Sequence, residues 1–447
     1  MASNTVAACR WSRGGWRIVS TDPSTVPEPR TAGLHLHRWT DRAVVGVALA
    51  TFASGFAQFG VVAALADVAR EFGQVTHGAT FADQAGLSGT ELGIGLAIIR
   101  LASLGGLAVT GLADRFGRRM MLLITVGAGL VLTAVAAASP SYWWFVAIFA
   151  CGRPLLSATN GLAQVDVAEQ TASADRAKAV ALVAAGYGVG AGVIAIVHSL
   201  ASRTLGFRGV FALALVPLAL LPLLRRWIEE PDRFVVAAAG SSHPIPVVGA
   251  VARPFRRRLG VIVVLAFAVS VVTGPANSFV FLFTQSFLHQ SGVVTVGMVL
   301  GAGVAGLAGL LAGRWLADRV GRRLTGALAM VAVALFAALA YTGSASALVA
   351  GYILGVFSAS VFAPAIGALT NELFPTSVRA SVVGWSLAAG VLGAAAGLVV
   401  FGSVARAGHP FALAGFLTFL PVVPVMALFW LLPETRGREP EDLWPNS

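Results

Sequence analysis

The sequence predicts an all-α integral membrane protein with twelve transmembrane helices in two six-helix halves. Three observations carry that prediction. Hydrophobic residues make up 57% of the 447 positions and charged residues 11%, too little charge to cover a soluble chain of this size. Apolar runs of about 18–25 residues, long enough to cross a bilayer as a helix, recur along the whole chain. Three charged landmarks then repeat at nearly one offset. Asp114-Arg115-x-Gly117-Arg118-Arg119 returns 204 residues later as Asp318-Arg319-x-Gly321-Arg322-Arg323. Glu169 and Arg176 return as Glu372 and Arg379 at an offset of 203, and Glu230…Arg233 is answered by Glu434…Arg436. Such duplication in so apolar a chain is the mark of a two-halved membrane transporter.

The elements follow in order. Residues 1–41 carry arginines and prolines without an apolar stretch before Ala43, so a cytosolic, mostly disordered tail is expected rather than a signal peptide. Six apolar runs, at 43–66, 90–110, 120–138, 142–164, 178–200 and 208–226, make a first bundle over 42–226. A Pro/Arg-rich linker spans 227–258. Six more runs, at 259–285, 292–313, 324–342, 346–369, 380–404 and 410–432, make a second bundle over 259–432, followed by a short tail, 433–447. The 51 glycines suit helices that must approach closely without a hydrophobic force between them.

Charge sets the expected orientation. With both termini inside the cell membrane, 25 of the 31 Lys+Arg fall in cytoplasmic tails and loops; Arg70, Arg203, Arg208 and Arg406 fall outside, and Arg100 and Arg153 within helices. Residues 67–89 are then external. The same bias accounts for the +11 net charge, so no nucleic-acid partner is implied. Cys9 and Cys151 are far apart, and neither a disulfide nor a metal site is expected. There is no GxxxxGK[ST] segment, no nucleophile–base constellation and no loop large enough for a catalytic domain. No cofactor and no enzymatic activity are expected.

GLADRFGRR after the second run and its copy after the eighth resemble the major facilitator superfamily, over residues 42–440. NELFPTSVRASVVGW (371–385), EEPDRF (229–234) and PETRGREPEDL (433–443) resemble the signatures of its sugar and metabolite:proton symporter branches. The resemblance implies the major facilitator fold and alternating access. It also implies gating roles for Gly111, Asp114, Arg115, Gly117, Arg118, Glu169, Arg176, Asp318, Arg319, Gly321, Arg322, Glu372 and Arg379. The physics agrees. Glu169…Arg176 and Glu372…Arg379 put opposite charges on the cytoplasmic ends of helices 4/5 and 10/11, and such pairs can form in one access state and break in the other.

Substrate is expected near the bilayer midplane, between the halves. An arginine in the hydrocarbon core costs roughly 2.5–3.5 kcal/mol on insertion scales, so Arg100 and Arg153 should face a cavity or a partner. At the repeat offset they meet only Val304 and Val356 or Phe357. Arg153, Ser157, Asn160 and Gln164 share one helical face; Thr51, Ser54 and Gln58, and Thr273, Asn277, Thr284 and Gln285, make similar stripes. Arg100, Arg153, Gln58, Ser157, Asn160, Asn277 and Gln285 are therefore the candidate substrate residues, with Tyr187 and Trp385 as possible aromatic liners. The resemblance ties an arginine at position 153 to proton coupling through an aspartate in helix 1, but this chain has Ala57 there. Asp67, Glu91, Asp166 and His198 are the remaining groups able to carry a proton.

The expected function is secondary active uptake of a small polar metabolite, anionic if both arginines face the cavity, by a monomer coupled to protons. Export is the alternative. Exporters of the superfamily carry a Gly-Pro dipeptide in helix 5, where this chain reads GYGVGAGVIA (186–195). A membrane sensor would need a larger cytosolic domain.

Overall fold

The structure is a computed structural model that describes residues 7–12, 15–20, 36–78, 80–232, 253–406, 411–438 and 443–444. Most of the expected linker, Arg233 and the side chains of Asp114, Arg203 and Arg406 lie outside the described residues. The chain divides into two units, residues 1–36 and 37–447.

In the first unit, β1 (Ala7–Ser12) pairs antiparallel with β2 (Gly15–Ser20). Cys9 opposes Ile18 and Trp11 opposes Trp16, a cross-strand apolar pairing that stabilises a hairpin. Over these residues the structure differs from the unstructured tail expected from composition.

Among the described residues, the second unit holds twelve helices long and apolar enough to cross a membrane. They are α1 (Arg42–Ala63), α2 (Gly89–Ala113), α3 (Arg118–Ala136), α4 (Tyr142–Gln170), α5 (Ser173–Ala201), α6 (Thr204–Trp227), α7 (Arg253–Phe287), α8 (Gly292–Arg319), α9 (Arg322–Ala340), α10 (Ala345–Glu372), α11 (Val378–Ala405) and α12 (Phe411–Leu431). Each expected apolar run has its helix. Several helices extend beyond their runs, α4 to Gln170 and α7 back to Arg253, because polar residues continue the helix past the apolar slab. We call the end that bears the start of α1 and the end of α12 the tail end, and its opposite the far end.

The repeat in sequence is a repeat in packing. α1 lies along α5 as α7 lies along α11; α3 and α2 pack on α4 as α9 and α8 pack on α10. A Cβ at Gly190 of α5 would sit 2.0 Å from the Phe52 carbonyl oxygen, and one at Gly393 of α11 would sit 2.2 Å from that of Phe267. Glycine therefore sets both close approaches. Between halves, α2 packs on α11 and α5 on α8.

These cross-half contacts close the far end. Gly402 lies against the Gly89 carbonyl and Gly292 against that of Ser199. The Phe59 and Phe281 rings meet edge to face at 5.8 Å, and Phe81 of the short helix Phe81–Ala85 lies 5.1 Å from Phe287. Arg70 Nη2 donates to Ser286 Oγ at 3.2 Å.

A central chamber and two tail-end charge networks

Two arginines meet in the middle of the bundle. α2 breaks after Ala102 and resumes at Gly105, and Ser103 Oγ donates to the Arg100 carbonyl at 2.6 Å. Arg100 thus sits in the last turn of a half-helix, where the carbonyl end of the helix dipole favours a cation. Arg153 is one residue before Pro154 in α4. Both line a chamber of about 200 Å³ with Gln58, Tyr187, Thr273 and Asn277.

The chamber has two extensions. One of about 300 Å³ shares Thr273 and Asn277 and enters the second half, among small residues and Tyr352. The other, of about 360 Å³, shares Arg100 and runs along α7, α10 and α11 to Thr370 and Asn371, near the tail end of α10. The far end is shut and the chamber continues toward the tail end.

The charge in the chamber is one-sided. Arg153 is 8% exposed and its Nε is buried without a hydrogen-bond partner. Among the described residues, no carboxylate lies within 4 Å of Arg100 or Arg153. A buried cation without a counter-charge is costly unless another group neutralises it.

The structure divides the other polar-stripe residues: Gln58 and Asn277 border the chamber, while Ser157, Asn160 and Gln285 are not in its lining. Gln58 borders it, while its Nε2 donates to Ser54 Oγ at 2.7 Å and to the Leu156 carbonyl at 3.1 Å, tying α1 to α4. Asn277 borders it and donates to its own helix at Thr273. Ser157 packs on Gly106 of α2. Asn160 leaves its Oδ1 buried and unpartnered, outside the lining. Gln285 lies in a π-helical turn, Phe283–Phe287, at the far end of α7. Tyr187 is brought in as a wall residue, and exposed Trp385 is not among the lining.

At the tail end each half builds the same network. Gly117 and Gly321 have positive φ of 97° and 118°, the backbone region that favours glycine. Each turn aims the first amides of the next helix at one carboxylate. Glu230 accepts from the Arg118 and Arg119 N–H groups, and Glu434 from those of Arg322 and Arg323 at 3.0 and 3.1 Å. A carboxylate there satisfies orphan amides and the helix dipole together. Arg118 grips Glu169 through Nε and Nη2 at 3.3 and 3.2 Å; Arg322 Nη2 reaches Glu372 at 3.3 Å and Asp318 at 3.2 Å.

This pairing differs from the one read in the sequence. Glu169 and Glu372 bond to the arginines of the DRxGRR segments. Arg176 and Arg379 keep buried Nε atoms without partners, and Arg379 donates to the Phe374 carbonyl. Arg115 is exposed, Arg319 lies over the Trp315 ring at 4.8 Å, and Gly111 faces open space. Spacing along one helix end does not say which helix end stands opposite. The Glu230 and Glu434 caps had a sequence signal in their shared offset, and their role as amide acceptors comes from the fold. His198 and Asp67, weighed singly in the sequence, form one pair at 2.7 Å near the far end.

The Major Facilitator Superfamily model matches residues 47–316 and 303–445. The chain belongs to that superfamily. It is 30% identical over 323 residues to the 3-(3-hydroxy-phenyl)propionate transporter of Escherichia coli, covering 69% of this chain and 76% of that one. To the gallate transporter of Pseudomonas putida it is 27% identical over 372 residues, covering 75% and 81%. Among solved structures, an inward-open xylose transporter from E. coli superposes with a TM-score of 0.66 at 18% identity, over 90% of this chain and 98% of that one. A nucleoside transporter superposes with 0.70 at 15%, over 87% and 99%. The chain is therefore a multi-pass membrane transporter of a small molecule, and not an enzyme.

Proposed function

We propose that this superfamily member takes up a small aromatic or similar organic carboxylate across the cell membrane by alternating access, driven by protons. The observation that carries the substrate class is the uncompensated pair Arg100 and Arg153 in the chamber between the halves. A carboxylate entering there removes a charge imbalance, and a guanidinium grips it through two hydrogen bonds. Gln58 and Asn277 add polar contacts, and the small-residue extension beside Tyr352 receives the body of the molecule. The substrates for which the two bacterial relatives are named, 3-(3-hydroxy-phenyl)propionate and gallate, are of the same chemical class.

The tail end is cytoplasmic in this reading, since the arginine-rich loops gather there. The network residues then gate the cytoplasmic side, and the conformation with the far end shut is the inward-open one. The absence of a Gly-Pro dipeptide in α5 favours uptake over export. The test is a thermal-shift screen of purified protein against organic acids, sugars and cationic drugs. Stabilisation by acids that disappears in Arg153→Gln and Arg100→Gln is expected; stabilisation by sugars or cations alone overturns the reading.

A further inference from the structure

Asp166 lies near the tail end of α4 and is 0% exposed. Its Oδ1 accepts from Gln170 Nε2 at 3.1 Å, and its Oδ2 is buried without a partner. Gln170 Nε2 also donates to the Glu229 carbonyl at 2.9 Å, which fixes the amide: turned over, it would set oxygen against oxygen. Gln170 Oε1 is then a second buried oxygen without a donor. One side-chain pair thus holds two orphan acceptors and lacks one donor.

Arg118 acts on this carboxyl from a distance, but among the described residues no cation pairs with it directly: no basic nitrogen lies within 4 Å of the Asp166 carboxyl. Glu169 one turn away is held by Arg118, and Glu230 is held by the first amides of α3. Over this corner His37 lies 3.4 Å from Glu229 and 3.4 Å from Asp41, and its N–H donates to the Gln170 carbonyl. From the start of α5, Arg176, Asp175 and Lys178 stand nearby in sequence, the last two bonded to each other at 3.2 Å. The facing charges are thus mostly acidic. A buried carboxylate among other carboxylates, with a bare oxygen, is an arrangement that neutralisation relieves.

We propose that the Asp166–Gln170 pair is a proton-binding site of the tail end, occupied in this conformation. A proton on the carboxyl turns Oδ2 from an orphan acceptor into a donor, and Gln170 Oε1 is the acceptor without a donor in the same pair. Losing it would leave Asp166, Glu169 and Glu230 ionised around Arg118, so the Arg118–Glu169 latch loosens when the site empties. The repeat does not carry the pair into the second half, where Leu373 stands at the offset position of Gln170. At the repeat offset Asp166 becomes Leu369, fully buried, while Glu169 and Glu230 keep their counterparts Glu372 and Glu434. The inference deepens the proton-driven reading, because it offers a proton site in a chain whose helix 1 carries Ala57.

The test is infrared spectroscopy of the full chain in lipid at neutral pH. The protonated-carboxyl band of the wild type should lose one component in Asp166→Asn, and hydrogen exchange across residues 160–172 should rise with pH in the wild type beyond the intrinsic rate, but not in that variant. Asp166→Asn keeps a donor for Gln170 Oε1, so its melting temperature at neutral pH should stay within about 2 °C of wild type. Gln170→Leu, which removes the amide that bonds to the carboxyl, should keep that component and move it to higher frequency, as expected of a protonated carboxyl that has lost its hydrogen-bond partner. Identical carboxyl bands in wild type and Asp166→Asn overturn the site, as does the same pH response of exchange in both. Failure of vesicles under a pH gradient to accumulate any aromatic acid, with the band intact, would instead sink the transport reading and leave the proton site standing.

Discussion

The two halves share a scaffold and differ in what they put inside it. Both hold a positive-φ glycine, a carboxylate on the amides behind it, and an arginine–glutamate latch: Gly117, Glu230 and Arg118–Glu169 in one, Gly321, Glu434 and Arg322–Glu372 in the other. Both pack first helix on fifth across glycine. Yet Arg100, Arg153, Asp166 and His198 belong to the first half alone, with Val304, Val356, Leu369 and Phe401 at about the same offset in the second. A duplicated body keeps what both halves need to move as rigid units. Residues found once are free to specialise, so substrate and proton chemistry should concentrate in the first half.

The largest effect should come from removing an unshared charge. Charge-assisted hydrogen bonds contribute about 1.5–3 kcal/mol, or roughly tenfold to a hundredfold in affinity. Arg153→Gln is expected to weaken binding of benzoate and its hydroxylated analogues by that factor, while Phe357→Leu, beside Val356 at the other offset counterpart of Arg153, changes it less than about threefold. Isothermal titration of the purified variants decides it, and equal losses in both would erase the functional asymmetry.

Next in size is the shared turn. A side chain at positive φ costs roughly 1–2 kcal/mol, and a Cβ at Gly117 or Gly321 would lie 3.0 or 2.8 Å from its capping carboxylate. Gly117→Ala and Gly321→Ala should each lower the melting temperature, by similar amounts. A drop in only one half would mean that the turns are alike in shape and unlike in duty.

How much of this was legible depends on the range of the physics involved. Helix number and the repeat follow from apolar length and charged spacing, which are local, so α1 to α12 could be read directly. Arg100, Arg153, Gln58 and Asn277 were also readable, since charge or amide inside an apolar run has few explanations. Partners were not. Glu169 bonds to Arg118, 51 residues back in the chain, rather than to Arg176, seven residues on. Ser157 and Asn160 share a face with Arg153 by periodicity, but periodicity defines a face without naming the neighbour it meets, and Ser157 meets α2. Asp67 and His198 are 131 residues apart, and only the fold joins them.

Smaller again are the latches. The pairs are partly exposed, with glutamate side chains 27% and 24% accessible, and such pairs contribute about 1 kcal/mol or less. Glu169→Gln and Glu372→Gln should each slow exchange transport by no more than about fivefold and leave substrate affinity unchanged. A loss of affinity in either would move that glutamate from the scaffold to the site.

The smallest effect tests the scaffold's chemistry in the second half. Burial works to raise the Glu434 carboxyl, but N–H groups of Arg322, Arg323, Arg436 and Thr435 outweigh it and hold the group below its ordinary value of 4.5. A carboxyl depressed in the folded state contributes stability that is complete above the ordinary value and is lost as pH falls through the folded one. The window is therefore acidic, below 4.5, and neutral-pH stability should not change with small shifts in pH. Because the group is partly exposed, solvent screens most of the gain. Melting curves from neutral pH down to about 3 should show wild type losing ground on Glu434→Gln through that window as the amide acceptor is neutralised. Parallel curves would mean that the four amides are held by geometry alone, and that the caps of the two halves resemble each other in shape more than in charge.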